Sequence, residues 1–203
     1  MLLLGTDDFE PYGHVGAVIV DTCLQAGLNY RTVVRPRVER LIAGSPLYRT
    51  TSGFAQYVNS PNLESLIDWH GTEKLERIRD VTGLLLTNSV DTELELRDWL
   101  QNEVNILALR NIRGIGPKSV DYMRKLVGIP AIPIDRHLKT FATSAGVNLD
   151  KYAELEQCYR FAADLLGVSL FVLDSAIWDM VSATSRPRCK SSQPSLFDDV
   201  TAD

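Results

Sequence analysis

The sequence predicts an all-α protein, because apolar residues recur at helical spacing and because turn and capping residues punctuate the helical stretches. Helical spacing is clearest from Val15 to Cys23 and from Leu75 to Leu85. The chain has 203 residues, of which 45% are hydrophobic and 23% charged, enough for one large domain or two small ones. These proportions exclude a wholly disordered chain, a collagen-like fibre and a disulfide-rich miniprotein.

The helices are predicted in chain order from this periodicity. Thr50–Gly53 and Ser60–Asn62 interrupt the pattern in the first half, and Asp91-Thr92-Glu93 opens a helix that Trp99 anchors. After Arg186 the chain loses helical periodicity and gains Pro, Ser and Asp, so residues 186–203 are expected to form a flexible tail. The predicted helices are 12–26, 31–44, 62–69, 73–87, 92–108, 117–127, 136–145, 150–166 and 169–184.

Composition also bears on location and on metal binding. No apolar run approaches the roughly 18 residues that span a bilayer, and the N-terminus lacks the basic region and long apolar core of a signal peptide. We therefore expect a cytoplasmic protein without a membrane partner. Three cysteines, Cys23, Cys158 and Cys189, suit neither a disulfide framework nor a four-cysteine site, and the three histidines lack paired ligands. We expect no metal and no cofactor.

The net charge of −5 is unevenly distributed along the chain. Residues 105–140 carry a net charge of +5 and residues 29–49 carry +4, so the remaining residues carry −14. If the fold brings the two basic segments together, they form a cationic face that can contact phosphates. The alternative is a pair of solvated helix faces.

Residues 109–146 carry the most informative motif. Two helical segments flank Ile112–Gly116, where Gly114 and Gly116 leave backbone N–H groups uncovered. Pro117 suits the first position of the following helix, so the N–H groups of Gly114, Gly116 and Lys118 could hold one DNA phosphate. This is a helix-hairpin-helix pattern, which many proteins use only to bind the DNA backbone.

The motif continues into Ile134-Asp135-Arg136-His137, after a loop rich in Gly and Pro, and later into a segment Leu-Asp-x-x-Ile-Trp that ends at Trp178. Over about residues 109–181 the chain resembles the helix-hairpin-helix superfamily of DNA glycosylases, most closely the archaeal-type 8-oxoguanine glycosylases. The resemblance implies a two-lobed fold with DNA in the cleft: a six-helix barrel over 29–132, and a second lobe made of 1–28 and 133–185.

The resemblance implies catalytic roles for Lys118 and Asp135 in a bifunctional glycosylase and abasic-site lyase. Asp135 would stabilise the positive charge that develops on the sugar. Lys118 would attack as a neutral amine, which partial burial and the charges of Arg113 and Arg136 favour. The alternative is that Asp135 caps a helix and Lys118 contacts a phosphate, as in a binding module without catalysis.

Other residues are assigned roles by the same resemblance. His137, Arg113 and Arg136 would contact the DNA backbone, although His137 could equally be a surface or packing residue. Asn29, Tyr30 and Arg31 would lie where related enzymes fill the gap left by the extruded base, the alternative being an ordinary turn closed by Gly27. Asp174 and Trp178, four residues apart, would line the base pocket, or else Trp178 is core and Asp174 pairs with a neighbour.

The resemblance implies a substrate of duplex DNA with a damaged base, with an oxidised purine ahead of an oxidised pyrimidine, and a nucleoid-associated monomer. Only Cys189 remains of the four cysteines that hold an iron–sulfur cluster in endonuclease III relatives. The segment Gln193-Pro194-Ser195-Leu196-Phe197 resembles peptides that dock on the bacterial replicative sliding clamp. We expect Gln193, Leu196 and Phe197 to bind such a clamp, or else to fold onto the domain surface.

Overall fold

A computed structural model describes residues 10–60 and 62–184. The described residues form α-helices and no β-strand, which confirms the all-α prediction. A π-helical turn over Tyr30–Val34 precedes the second helix, and a 3-10 turn over Pro46–Arg49 follows it. The α-helices are α1 (Val15–Gln25), α2 (Arg35–Ile42), α3 (Thr51–Val58), α4 (Leu63–Ile67), α5 (Thr72–Thr87), α6 (Glu93–Trp99), α7 (Glu103–Arg110), α8 (Pro117–Leu126), α9 (Arg136–Ser144), α10 (Tyr152–Leu166) and α11 (Leu170–Thr184).

Three predictions about the helices are wrong. The segment 92–108 is two helices, because Asn102 accepts a hydrogen bond from the Val104 amide at 2.9 Å and starts a new helix. The predicted list lacks α3, because Thr50–Gly53 is predicted to interrupt the helical pattern, whereas the Thr50 hydroxyl accepts from the Gly53 amide and caps a helix. The segment 31–44 starts as a π-helical turn, since Pro36 has no N–H to continue a regular pattern through it.

Buried side chains form two clusters. The first spans residues 15–129 and includes the fully buried residues of α1, which packs against α2, α5 and α8. The second spans residues 132–177 and is built from α9, α10 and α11. α1 is apolar on nearly every side, and all its residues from Val15 to Leu24 are buried.

No single helix among the described residues is both long and apolar enough to cross a bilayer. Within residues 10–60 and 62–184, only α10 and α11 taken together reach that length and composition, and they are bent by 103° where they meet.

Candidate functional site

The connection between α7 and α8 is a short hairpin anchored by a buried side chain. Ile115 is 3% exposed, and its amide donates to the Ile112 carbonyl at 3.0 Å. Gly114 has a φ of +85°, which favours glycine, whereas the φ of Gly116 is −101° and suits any residue. Within the described residues, the N–H groups of Gly114, Gly116 and Lys118 have no hydrogen-bond partner. The hairpin therefore offers three free donors where α8 begins.

Two basic residues of α5 support this hairpin and the end of α1. The Nε of Arg77 donates to the Arg113 carbonyl at 3.0 Å, and a Cβ at position 114 would overlap the Arg77 guanidinium. Lys74 donates to three carbonyls at the end of α1, at 2.8 to 3.1 Å. The pKa of the Lys74 amine is lowered mainly by its burial and also by the nearby charge of Arg77. Neither residue is among the site residues predicted from sequence, although a lysine and an arginine three residues apart share one helix face.

The pKa of the Asp174 carboxyl on α11 depends on its burial and on charges from α8 and from the start of α9. Burial raises the pKa of the Asp174 carboxyl, and the ion pair with Lys125 opposes that rise. The negative charge of Asp135 raises the same pKa further, and the positive charge of Lys118 lowers it. Lys118 and Asp135 are both half-buried. The charges of Lys118 on α8 and of Asp135 at the start of α9 therefore both act on the Asp174 carboxyl on α11.

Asp135 caps α9, as one of its two interpretations predicted. Its Oδ1 accepts from the amides of His137 at 2.8 Å and Leu138 at 3.0 Å. Its Oδ2 has no hydrogen-bond partner among residues 10–60 and 62–184. One carboxyl oxygen is therefore fixed by the helix while the other remains available to a ligand. His137 is half-buried in the first turn of α9, and Arg136 is exposed.

Asp174 and Trp178 of α11 each contact a basic residue from another part of the chain. Asp174 pairs with Lys125 at 2.5 Å, which confirms that it pairs with a neighbour. The Arg31 guanidinium lies over the half-buried Trp178 ring, 4.9 Å from its centroid, a cation–π contact. Lys125 and Arg31 belong to the two basic segments identified from sequence, and both segments therefore meet α11.

Asn29 and Tyr30 are engaged within the protein. The Asn29 side chain accepts from the Thr32 amide at 3.0 Å and caps the π-helical turn. Tyr30 is half-buried against the first cluster, with its hydroxyl 3.5 Å from that of Tyr12. Gly27 has a φ of +77°, as the ordinary-turn interpretation of this segment requires.

Ion pairs use many of the basic residues in the two cationic segments. Arg113, expected to act on Lys118, pairs instead with Glu73 at 3.1 Å and leaves 87% of its side chain exposed. The other paired residues are Arg35, Arg37, Arg40, Arg124 and Lys125. In the described part of the chain, the basic residues of these segments that form no ion pair are Arg31, Arg49, Arg110, Lys118, Arg136 and Lys139.

Two cysteines lie in the described residues, and both are free thiols. Cys23 is fully buried, which raises the pKa of its thiol to about 12. Cys158 is half-buried. No group of three or more His, Cys, Asp or Glu side chains in residues 10–60 and 62–184 is arranged to hold a metal ion. Cys189 and the clamp-like residues Gln193, Leu196 and Phe197 lie outside the described residues.

Neither protein-family models, nor curated proteins, nor solved structures match this chain.

Proposed function

We propose that this chain is a bifunctional DNA glycosylase of the helix-hairpin-helix superfamily. It excises an oxidised purine such as 8-oxoguanine from duplex DNA and then cleaves the abasic site. The main support is the hairpin with free N–H groups just before the half-buried Lys118, together with the half-buried Asp135, whose Oδ2 has no hydrogen-bond partner among the described residues. An amine nucleophile, a carboxylate and a phosphate-binding turn are the groups that this chemistry needs.

In this proposal Lys118 and Asp135 perform the chemistry. The Lys118 amine attacks C1′ of the damaged nucleotide, the bond from C1′ to the base breaks, and the base leaves with the bonding electrons and takes a proton from the lysine nitrogen. The free Oδ2 of Asp135 stabilises the positive charge on the sugar in the transition state. The C1′–O4′ bond then breaks with its electrons on O4′, which takes a proton from the nitrogen, and the lysine nitrogen forms a Schiff base with C1′ of the opened sugar. Loss of a proton from C2′ expels the 3′ phosphate and cuts the strand.

DNA binding is proposed to use the hairpin and the unpaired basic residues. The free N–H groups of Gly114, Gly116 and Lys118, together with the positive end of the α8 dipole, would hold one phosphate. A Cβ at Gly116 would meet no atom within 4 Å, so packing inside the protein does not demand glycine there. An approaching phosphate would demand it. The two buried clusters support two lobes with the duplex in the cleft between them.

The base pocket is proposed to lie at Asp174 and Trp178. The indole presents a face for stacking that Arg31 now covers, so a base would displace or join this guanidinium. Asp174 would accept a hydrogen bond from the base while Lys125 holds it in place.

The alternative is a helix-hairpin-helix module that binds DNA without catalysis. The capping role of Asp135 favours it, because a cap explains the aspartate without any reaction. A glycosylase specific for oxidised pyrimidines or for another lesion would share the same catalytic pair. One experiment distinguishes the three possibilities.

The experiment incubates the full-length protein with duplexes that each carry a different lesion, and measures strand cleavage with and without later alkali. A bifunctional glycosylase cuts without alkali, a monofunctional one needs alkali, and a binding module does not cut. Borohydride should trap a covalent adduct with DNA. Lys118→Gln should abolish the adduct, whereas the control Lys139→Gln, at an exposed lysine without an ion pair among the described residues, should not.

Asp135→Asn separates catalysis from capping, because asparagine caps helices as well as aspartate does. The excision rate should fall about a hundredfold or more with DNA affinity and stability nearly unchanged. Adducts that survive Lys118→Gln, or full activity in Asp135→Asn, would contradict the assignment.

A further inference from the structure

The hydroxyl of Tyr152, at the start of α10, connects two parts of the proposed active site. It accepts a hydrogen bond from the Ile134 amide at 3.2 Å and donates one to Oδ2 of Asp121 at 2.6 Å. Ile134 immediately precedes Asp135. Asp121 lies on α8, three residues after Lys118 and so about one helical turn away. A single hydroxyl therefore joins the backbone next to Asp135 to the helix that carries Lys118.

The loop before Asp135 has few other ways to be held by its backbone. Pro130 and Pro133 have no N–H group to donate. Asp135 itself bonds only amides of its own helix among the described residues, so those bonds do not determine its distance from α8. Among the described residues, the bond from the Ile134 amide to Tyr152 joins this loop to another helix directly next to Asp135.

Asp121 is a well-fixed anchor for this connection. Its side chain is 9% exposed, and besides the Tyr152 hydroxyl it has Arg124 at 3.7 Å. Burying a charged carboxylate costs free energy unless it is hydrogen-bonded, so the Asp121 carboxylate strongly favours the short hydrogen bond from the Tyr152 hydroxyl. The tyrosine is therefore held at one end by α8 and holds Ile134 at the other.

Given the proposed function, we infer that Tyr152 is a positioning residue that sets the location of Asp135 relative to Lys118. It touches neither DNA nor the reacting atoms in this role. Without the hydroxyl, the Ile134 amide is released and the Asp135 carboxylate can shift from the sugar. A displacement of about 1 Å can cost about a hundredfold in rate. The free donors of the hairpin at Gly114 and Gly116 do not depend on this connection, so DNA binding should persist.

The test is Tyr152→Phe in the full-length protein, which removes the hydroxyl and keeps the ring. The single-turnover excision rate on the best lesion duplex should fall about tenfold or more, with Kd for that duplex within about twofold of wild type. Amide hydrogen exchange of Ile134, measured by NMR, should become about tenfold faster or more. A general loss of packing would not lower the excision rate and speed exchange at Ile134 while leaving the DNA affinity unchanged.

The matched control is Tyr12→Phe. Tyr12 also donates from its hydroxyl to a buried aspartate, Asp21, at 2.7 Å, in the first cluster. Its loss should lower stability but leave the excision rate and the exchange of Ile134 within about twofold. If Tyr152→Phe does not fold, Asp121→Asn tests the same connection, because it removes the charge that holds the Tyr152 hydroxyl.

Each outcome decides between the two claims. Excision by Tyr152→Phe at the wild-type rate, or at the rate of Tyr12→Phe, overturns the positioning role while leaving the proposed function intact. Unchanged exchange at Ile134 also overturns that role. A wild-type protein that excises no lesion overturns the proposed function and, with it, the role of Tyr152.

Discussion

Lys125 on α8 and Asp174 on α11 form an ion pair of 2.5 Å whose side chains are only 17% and 15% exposed. The pair joins the helix of Lys118 to the helix of Trp178. It therefore connects the residues proposed to cut the glycosidic bond with those proposed to hold the base.

Removing one partner of this pair should be costly. Lys125→Met leaves Asp174 as a nearly buried carboxylate without its cation, so the free energy of unfolding should fall by about 2 to 4 kcal/mol at neutral pH. Since burial already raises the pKa of Asp174, losing Lys125 raises it further. Protonated Asp174 needs no cation, so the loss should shrink as the pH falls through this raised pKa.

Urea unfolding at several pH values measures this effect. The control is Lys151→Met, which removes a pair with Glu154 whose side chains are 79% and 46% exposed and should change stability little. Equal losses in the two variants would show that the Lys125 pair is not a buried interaction.

Asp21 should make the protein less stable as the pH rises. It is fully buried and accepts from the hydroxyls of Tyr12 and Tyr122 at 2.7 and 3.0 Å, with no ion pair among the described residues. Burial raises its pKa from 3.8 to about 6. The folded state therefore binds this proton more tightly than the unfolded state, and about 3 kcal/mol is lost between about pH 4 and about pH 6.

Asp21→Asn should remove this loss, because an amide can accept from one tyrosine hydroxyl and donate to the other. Urea unfolding should find the variant more stable than wild type near about pH 8, with the difference shrinking near about pH 4. Asp68→Asn is the control, since Asp68 is 53% exposed and has a φ of 50°, which asparagine tolerates. A constant difference between Asp21→Asn and wild type across this range would refute the assignment.

The two hairpin glycines should respond differently to alanine. Gly114→Ala meets a positive φ and the Arg77 guanidinium, so stability should fall by about 2 kcal/mol and DNA affinity should fall as well. At Gly116 the φ is negative and a Cβ has free space, so Gly116→Ala should keep full stability. It should nevertheless bind every duplex about tenfold more weakly, because the added methyl group blocks the approach of a phosphate. Thermal unfolding and fluorescence anisotropy measure the two quantities. Wild-type affinity in Gly116→Ala would argue against phosphate binding at this hairpin.

The C-terminal segment should bind a sliding clamp through Gln193, Leu196 and Phe197. In calorimetry, both the full-length protein and the peptide 190–203 should bind a bacterial clamp. Leu196→Ala combined with Phe197→Ala should weaken binding about tenfold or more, because apolar anchors dominate such short motifs. Excision of a lesion from a short oligonucleotide should not change. If the double substitution lowers excision instead, these side chains belong to the fold.

Local sequence determined the all-α class, the capping by Asp135 and the tight turn at Gly114, because each depends on bonds or backbone angles within a few residues. The local sequence was ambiguous at residue types that occur both in loops and as helix caps. Thr50 is a residue type common in the loops between helices, but here it caps α3. Asn102 interrupts a stretch of helical periodicity because it caps the next helix, α7.

Only the tertiary structure decided which distant side chains meet. Tyr152 and Asp121 are 31 residues apart in the chain, and Lys125 and Asp174 are 49 apart. Composition could indicate that residues 29–49 and 105–140 are basic, but not that Arg113 faces Glu73 or that Arg31 lies over Trp178. Such pairs depend on how buried helix faces pack against each other, and the spacing of residues along one helix carries no information about its neighbour's position.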